Sequence, residues 1–67
     1  MNYSQVLSRL ICRTDVDLVS LQRAGIYLNG DRRSLDIIED EDGWGIYPEG
    51  SAEWALGIVY IEKVAIQ

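Results

Sequence analysis

Histidine and phenylalanine are absent from this 67-residue chain, and cysteine, proline and lysine each occur once. Each shortage excludes something. With Cys12 alone, no intrachain disulfide can form, so a reducing setting is expected, and with it the cytoplasm. One cysteine and no histidine cannot make a zinc site of the usual kind. The missing histidine also removes the commonest general acid/base and the usual partner of a serine or cysteine nucleophile. The longest apolar run, "WALGIVYI" over residues 54–61, is far below the roughly 20 residues needed to span a bilayer. The opening "MNYSQVLSRL" lacks the basic-then-apolar layout of a signal peptide. "GWG" has no flanking lysine or helix start, so it is not a phosphate loop. No enzyme activity, cofactor, metal, membrane contact or direct nucleic-acid binding is expected.

What is present points to a globular chain. Apolar residues make up 48% of it, which is ordinary for a folded domain and unlike a disordered one. Its length predicts a single domain over residues 1–67. A domain this small buries only about 60% of the surface its unfolded chain exposes. The core is therefore thin, and pairing as a homodimer is an expected way to add buried area; the apolar strand "IVYIEKVAI" offers a surface for it.

Charge is polarised along the chain. Residues 1–33 carry five arginines against three aspartates, and residues 34–67 carry eight acids against Lys63 alone. The first half is thus +2 and the second −7, for a net −5. Such a balance disfavours a phosphate backbone as partner and favours a basic protein surface.

Periodicity predicts an α+β fold: one or two N-terminal helices packed on an antiparallel sheet of three to four strands. Tyr3, Val6, Leu7, Leu10 and Ile11 make an amphipathic stripe, with Asn2 and Gln5 placed as a capping box. Cys12 lies nearly opposite that stripe, so either it is exposed or the helix has already ended there; the second is the expectation. "TDVDLVSLQRAG" reads as a second helix, capped by Thr14, with Asp17 in the capping-box position and Gly25 at its end, although the β-rich "VDLVSL" admits a strand. "GIYL", the turn "NGDR" and "SLDIIE" read as a hairpin. "DEDG" is a second turn, leading into "WGIY", which Pro48 stops. "PEGSAEW" is a loop or a single turn capped by Ser51. "LGIVYIEKVAIQ" has apolar residues on both faces, which predicts a central strand covered on two sides.

The densest chemistry lies in "SLDIIEDEDGWGIYPEGSAEW". Glu39, Asp40, Glu41 and Asp42 run together, and Trp44 follows. A calcium loop is excluded by register. With Gly43 at position 6, Asp40, Asp42 and Glu49 fill three ligand positions, but Ile38 falls at position 1, and Gly45 and Pro48 spoil the exit. Carboxylate pairs at glycosidase spacing arise by chance among eight acids, and a chain this short has little room for a substrate cleft. Two readings remain: a solvated turn, or a contact surface. Four consecutive like charges cost stability, which a contact would explain. The expected partner-binding set is Asp36, Glu39, Asp40, Glu41, Asp42, Trp44, Tyr47, Glu49 and Glu53. Trp44 and Trp54 suit either the core or an interface. The arginines of "NGDRRS" suit an exposed turn or a contact to an acidic patch.

The function expected from this is a small acidic module that docks on a basic surface of a larger protein. One concrete form is an inhibitor presenting carboxylates in place of phosphates in a nucleic-acid groove. The alternatives are an assembly subunit of a homo-oligomer, or a regulator of an enzyme acting through apolar contacts. Salt separates them, because charge-driven docking weakens as ionic strength rises.

Overall fold

A computed structural model describes residues 1–51 and 57–65. Two helices, α1 (Tyr3–Ile11) and α2 (Leu18–Leu28), pack on a three-stranded antiparallel sheet of β1 (Leu35–Glu39), β2 (Gly43–Pro48) and β3 (Val59–Glu62). The strand order is β1-β2-β3. This is the expected α+β arrangement. None of the described helices is long and apolar enough to cross a membrane.

Helix α1 begins where its capping box requires. The Gln5 amide donates to Asn2 Oδ1 and the Asn2 amide to Gln5 Oε1, each at 2.9 Å, so two orphan donors of the first turn are satisfied. Val6 and Leu10 are buried, while Tyr3 and Leu7 pack at the core's edge. Ile11 departs from expectation, being 66% exposed. It lies at the rim of the apolar stripe, beyond the reach of the sheet. Cys12 caps the C-terminus of α1. The helix has ended there, and the thiol is exposed as well.

Helix α2 is a helix, but neither of its expected ends holds. Asp17, not Thr14, is the N-cap, its carboxylate accepting from the Ser20 amide at 3.0 Å. The reason is tertiary. Residues 15–17 pair with the end of β3, through Asp17 N–H to the Glu62 carbonyl at 2.9 Å and Val64 N–H to the Asp15 carbonyl at 2.8 Å. A backbone engaged in a ladder cannot also begin a helix, so α2 starts at Leu18. Gly25 does not end it. A Cβ at Gly25 would lie 3.3 Å from the Leu7 side chain, so the glycine lets the two helices approach. The helix ends instead at Asn29 and Gly30, whose φ of +90° suits glycine. "GIYL" is therefore the last turn of α2 and not a strand, since Leu28 continues the buried row of Leu21 and Ala24. "NGDR" joins helix to strand.

The β1–β2 hairpin turns at "DEDG" as expected, with Asp36 opposite Tyr47, Ile38 opposite Gly45 and Glu39 opposite Trp44. The middle strand is β2, not the last one. β3 lies at the edge, pairing Trp44 with Ile61 and Gly45 with Tyr60. Only four residues of the long expected strand are in it. Its outer face is exposed at Tyr60 and Glu62, so the last strand is not covered on two sides. Leu35, Ile46 and Ile61 bury their side chains under the helices with Val6, Leu10 and Leu28. Both sheet edges are partly occupied by the chain itself. Met1 exchanges backbone hydrogen bonds with Leu35, and Ser20 Oγ accepts from the Glu62 amide. Such covering blunts the unpaired edge of a small sheet.

Candidate functional site

Strand alternation divides the acidic stretch between two faces. Glu39, Trp44 and Ile61 share a row on the inner face, towards the helices. Asp36, Ile38, Gly43, Gly45, Tyr47, Tyr60 and Glu62 belong to the outer face. The four-acid run is split by the same rule and by the turn that interrupts it.

On the inner side, Trp44 is 3% exposed and belongs to the core. Two cations lie against its ring, the Arg13 guanidinium and the Lys63 ammonium, each 5.2 Å from the centroid. Cation–π attraction favours this placement. Glu39 closes the group, with its carboxylate 2.7 Å from Lys63 Nζ and 3.8 Å from Arg13 Nη2. Arg13 also forms a two-point pair with Asp15, Nε to Oδ1 at 2.9 Å and Nη2 to Oδ2 at 3.1 Å. The Lys63 hydrogen bond holds the Glu39 carboxyl below its usual range, and the Arg13 fork does the same for Asp15. A cavity of about 160 Å³ opens beside this cluster, lined by Arg9, Leu10, Arg13, Ile37, Glu39 and Trp44.

Asp40 serves the turn. Its Oδ1 accepts from the Asp42 and Gly43 amides, both at 2.8 Å, and from the Tyr60 hydroxyl at 2.6 Å. The Asp40 amide donates to the Gly43 carbonyl at 2.8 Å, and the Asp40 carbonyl accepts from Lys63 Nζ at 2.7 Å. Aspartate is favoured here because its short carboxylate can satisfy backbone donors two and three residues on. Hydrogen bonding, chiefly from Tyr60, lowers the Asp40 carboxyl below its ordinary range. Partial desolvation, and then the same bond, push the Tyr60 phenol up.

Of the expected binding set, then, Glu39 and Asp40 are engaged within the fold, and Trp44 is in the core. Glu41 and Asp42 stand exposed at the hairpin tip, Asp36 on the outer face of β1, and Glu49 in the turn after β2. Tyr47 is half-buried on the outer face. Glu53 and Trp54 lie outside the described residues, as does the rest of the "PEGSAEW" segment beyond Ser51. The arginine-rich turn is exposed, and Arg33 is bound to Asp31 at 2.6 Å.

The outer face has a centre that the acid-run reading missed. Gly43 and Gly45 leave β2 without side chains there, and aromatic rings fill the space. A Cβ at Gly45 would lie 2.7 Å from the Tyr47 ring, and one at Gly43 would lie 3.0 Å from the Tyr60 ring. Ile38 sits in the same cross-strand row as Gly45 and Tyr60, and both Ile38 and Tyr60 are exposed. The result is an apolar, aromatic centre edged by Asp36, Glu62 and the Glu41–Asp42 tip. No lysine or arginine occupies an outer-face position of the three strands. Ile38, Tyr60 and Glu62 were discoverable from the alternation about Asp36, had the register of β3 been known.

Comparison with protein families, with characterised proteins and with solved structures gives no match to this chain.

Proposed function

We propose that this chain is a small acidic binding protein, and that the outer face of its sheet, with the hairpin tip, docks on a basic surface of a larger protein. One observation carries the reading. Among the described residues nothing covers this face, which joins an apolar, aromatic centre of Ile38, Tyr47 and Tyr60 to an acidic rim, with no cation at any outer-face position of the three strands. Tyrosine at the centre and charge at the edge is how protein interfaces divide affinity from steering. The rim carboxylates are anions held on a sheet, and a groove evolved for nucleic-acid phosphates is the kind of basic surface they suit. In that form the protein is an inhibitor that competes with nucleic acid.

Internal engagement favours a smaller set of acids for this role. Glu39 and Asp40 are engaged internally, so the partner-facing set is Asp36, Glu41, Asp42, Glu49 and Glu62, around Ile38, Tyr47 and Tyr60. The test is a pull-down from the native host at low and high salt. The captured partner is then titrated against wild type and against the Asp36→Asn, Glu41→Gln, Asp42→Asn, Glu62→Gln variant. The expected result is capture of a basic protein, binding that weakens with salt, and a slower on-rate for the variant. Binding that is insensitive both to salt and to these substitutions would refute it.

A further inference from the structure

The opposite side of the molecule has a different chemistry. Beyond the row that meets the sheet, α2 turns Leu18, Val19 and Ile26 outward, exposed by 61%, 54% and 79%. Gln22 lies among them by helix phase. From α1, Ile11 adds a fourth exposed apolar side chain. Between the helices runs an apolar groove floored by Leu7, Leu21 and Gly25 and bordered by Ile11 and Gln22. Gly25 has no side chain to fill it. The polar residues that border the groove, Ser8 and Gln22, are uncharged, and Arg23, next to Val19 by helix phase, is the charge at its far margin. In a chain with 17 charged residues among 67, a two-helix groove with uncharged borders is an exception to the rest of the surface.

We infer that this face is covered by a second copy of the same chain. Three arguments select that occupant. The first is charge. Each copy carries −5, so two copies repel over most orientations; the helix face is where they meet without placing like charges opposite each other. The second is shape. Leu18, Gln22 and Ile26 form an i, i+4, i+8 ridge alongside the groove, so a two-fold axis lays the ridge of each copy into the groove of the other. The third is area. Four aliphatic side chains exposed by half to four-fifths present on the order of 400 Å² of apolar surface, the size of patch that marks an interaction site. That is about what the apolar part of a standard interface of roughly 800 Å² per partner requires. The dimer has a four-helix layer inside and an acidic sheet face on each outer side, so it leaves the docking face of the proposed function free and presents it twice.

Salt distinguishes the two proposals. Screening relieves the mutual repulsion of two −5 copies, so the dimer tightens as salt rises, whereas docking on a basic partner weakens. The experiment is sedimentation from low micromolar to near millimolar concentration, at low and high salt. It is done on the Cys12→Ser chain so that no disulfide links the copies. The expected result is a reversible dimer, tighter at high salt, weakened at least about tenfold in Kd by Ile26→Glu because that change would bury an unpaired charge. Ile26 is exposed, so the dilute variant keeps the wild-type melt; Val19→Lys is a second variant with the same expectation. On the same background Gln22→Cys forms a disulfide dimer under mild oxidation, and Ile38→Cys on the outer sheet face does not. A chain that stays monomeric at the highest concentration in high salt overturns the inference. So does a dimer that survives both helix-face variants, or one that Ile38→Cys cross-links.

Discussion

Leu10 and Ile11 are neighbours in sequence and opposites in environment, at 1% and 66% exposure. Truncating each to alanine therefore isolates burial from helix propensity, which alanine improves in both cases. Leu10→Ala removes three carbons from the core, a transfer loss of about 2.4 kcal/mol at 0.8 kcal/mol for each carbon. A cavity term is added, because the space left collapses only in part. Leu10 already borders the cavity beside Trp44, and the Trp44 ring is held in place by its contacts with Arg13 and Lys63, so little can move in to fill the gap. The expected loss is about 3–4 kcal/mol. A chain of this size has roughly 3–10 kcal/mol of stability in total. At about 4–8 °C for each kcal/mol, the melt falls by roughly 12–30 °C, or the chain does not fold. Ile11→Ala, measured at low micromolar concentration where self-association is negligible, stays within about 0.5 kcal/mol of wild type. Circular-dichroism melts and urea titrations of both variants are the assay. Equal effects, or a cooperative and nearly unshifted melt for Leu10→Ala, would refute the phase of α1 on the sheet.

Three further outcomes follow from the site. Neutralising the tip alone, Glu41→Gln with Asp42→Asn, leaves the melting temperature unchanged or raises it by relieving like-charge repulsion. Glu39→Gln with Asp40→Asn lowers it by loosening the Lys63 pair and the turn; the reverse order in thermal melts would show that the turn is not held by Asp40. Asp15, Glu39 and Asp40 have carboxyls lowered in the fold, and Arg33 brings Asp31 down to about 2 from 3.8. A lowered folded pKa gives stability that is present above the unfolded value and lost as pH falls through the folded one, so melts decline between about pH 5 and pH 2. Tyr60 has the opposite sign, its raised pKa giving stability present below about pH 10 and lost above it; Tyr60→Phe abolishes that alkaline loss, which melts above pH 10 would show. Gly43→Ala destabilises more than Gly45→Ala in the same assay, because a Cβ at Gly43 meets the Ile61 backbone carbonyl, while one at Gly45 meets a tyrosine ring that can swing aside.

Local chemistry was legible wherever it was self-sufficient. Asn2 and Gln5 mark the start of α1 because a capping box closes within four residues. "DEDG" marks its hairpin because Asp40 reaches donors only two and three residues away. The two-layer α+β class followed from periodicity alone. The start of α2 was not legible in the same way, since Thr14 and Asp17 are both good caps, and the choice was made by β3 pairing with residues 15–17 from far along the chain. Local pattern puts its end at Gly25, and the helix lies beyond that limit for a similar reason: only the packing of Leu28 shows that it runs on to Asn29 and Gly30.

The acid run shows the same division at the candidate site. Four consecutive carboxylates look equivalent in one dimension, and their number determined the charge that favours a basic partner. Which of them are free to meet the proposed partner was decided by the fold. Pleating sent Glu39 inward to Lys63, the turn took Asp40, and Glu41 and Asp42 were left at the tip. Trp44 went to the core because its register placed it against Ile61 and beside two cations, contributed by residues 13 and 63. Composition and spacing thus determined the α+β class and the net charge, both of which depend on residue identity or on neighbours within about one helical turn. Strand order, the facing of each side chain and the aromatic centre over Gly43 and Gly45 were decided only by tertiary structure, because each needs contacts between segments whose separation along the chain no local pattern encodes.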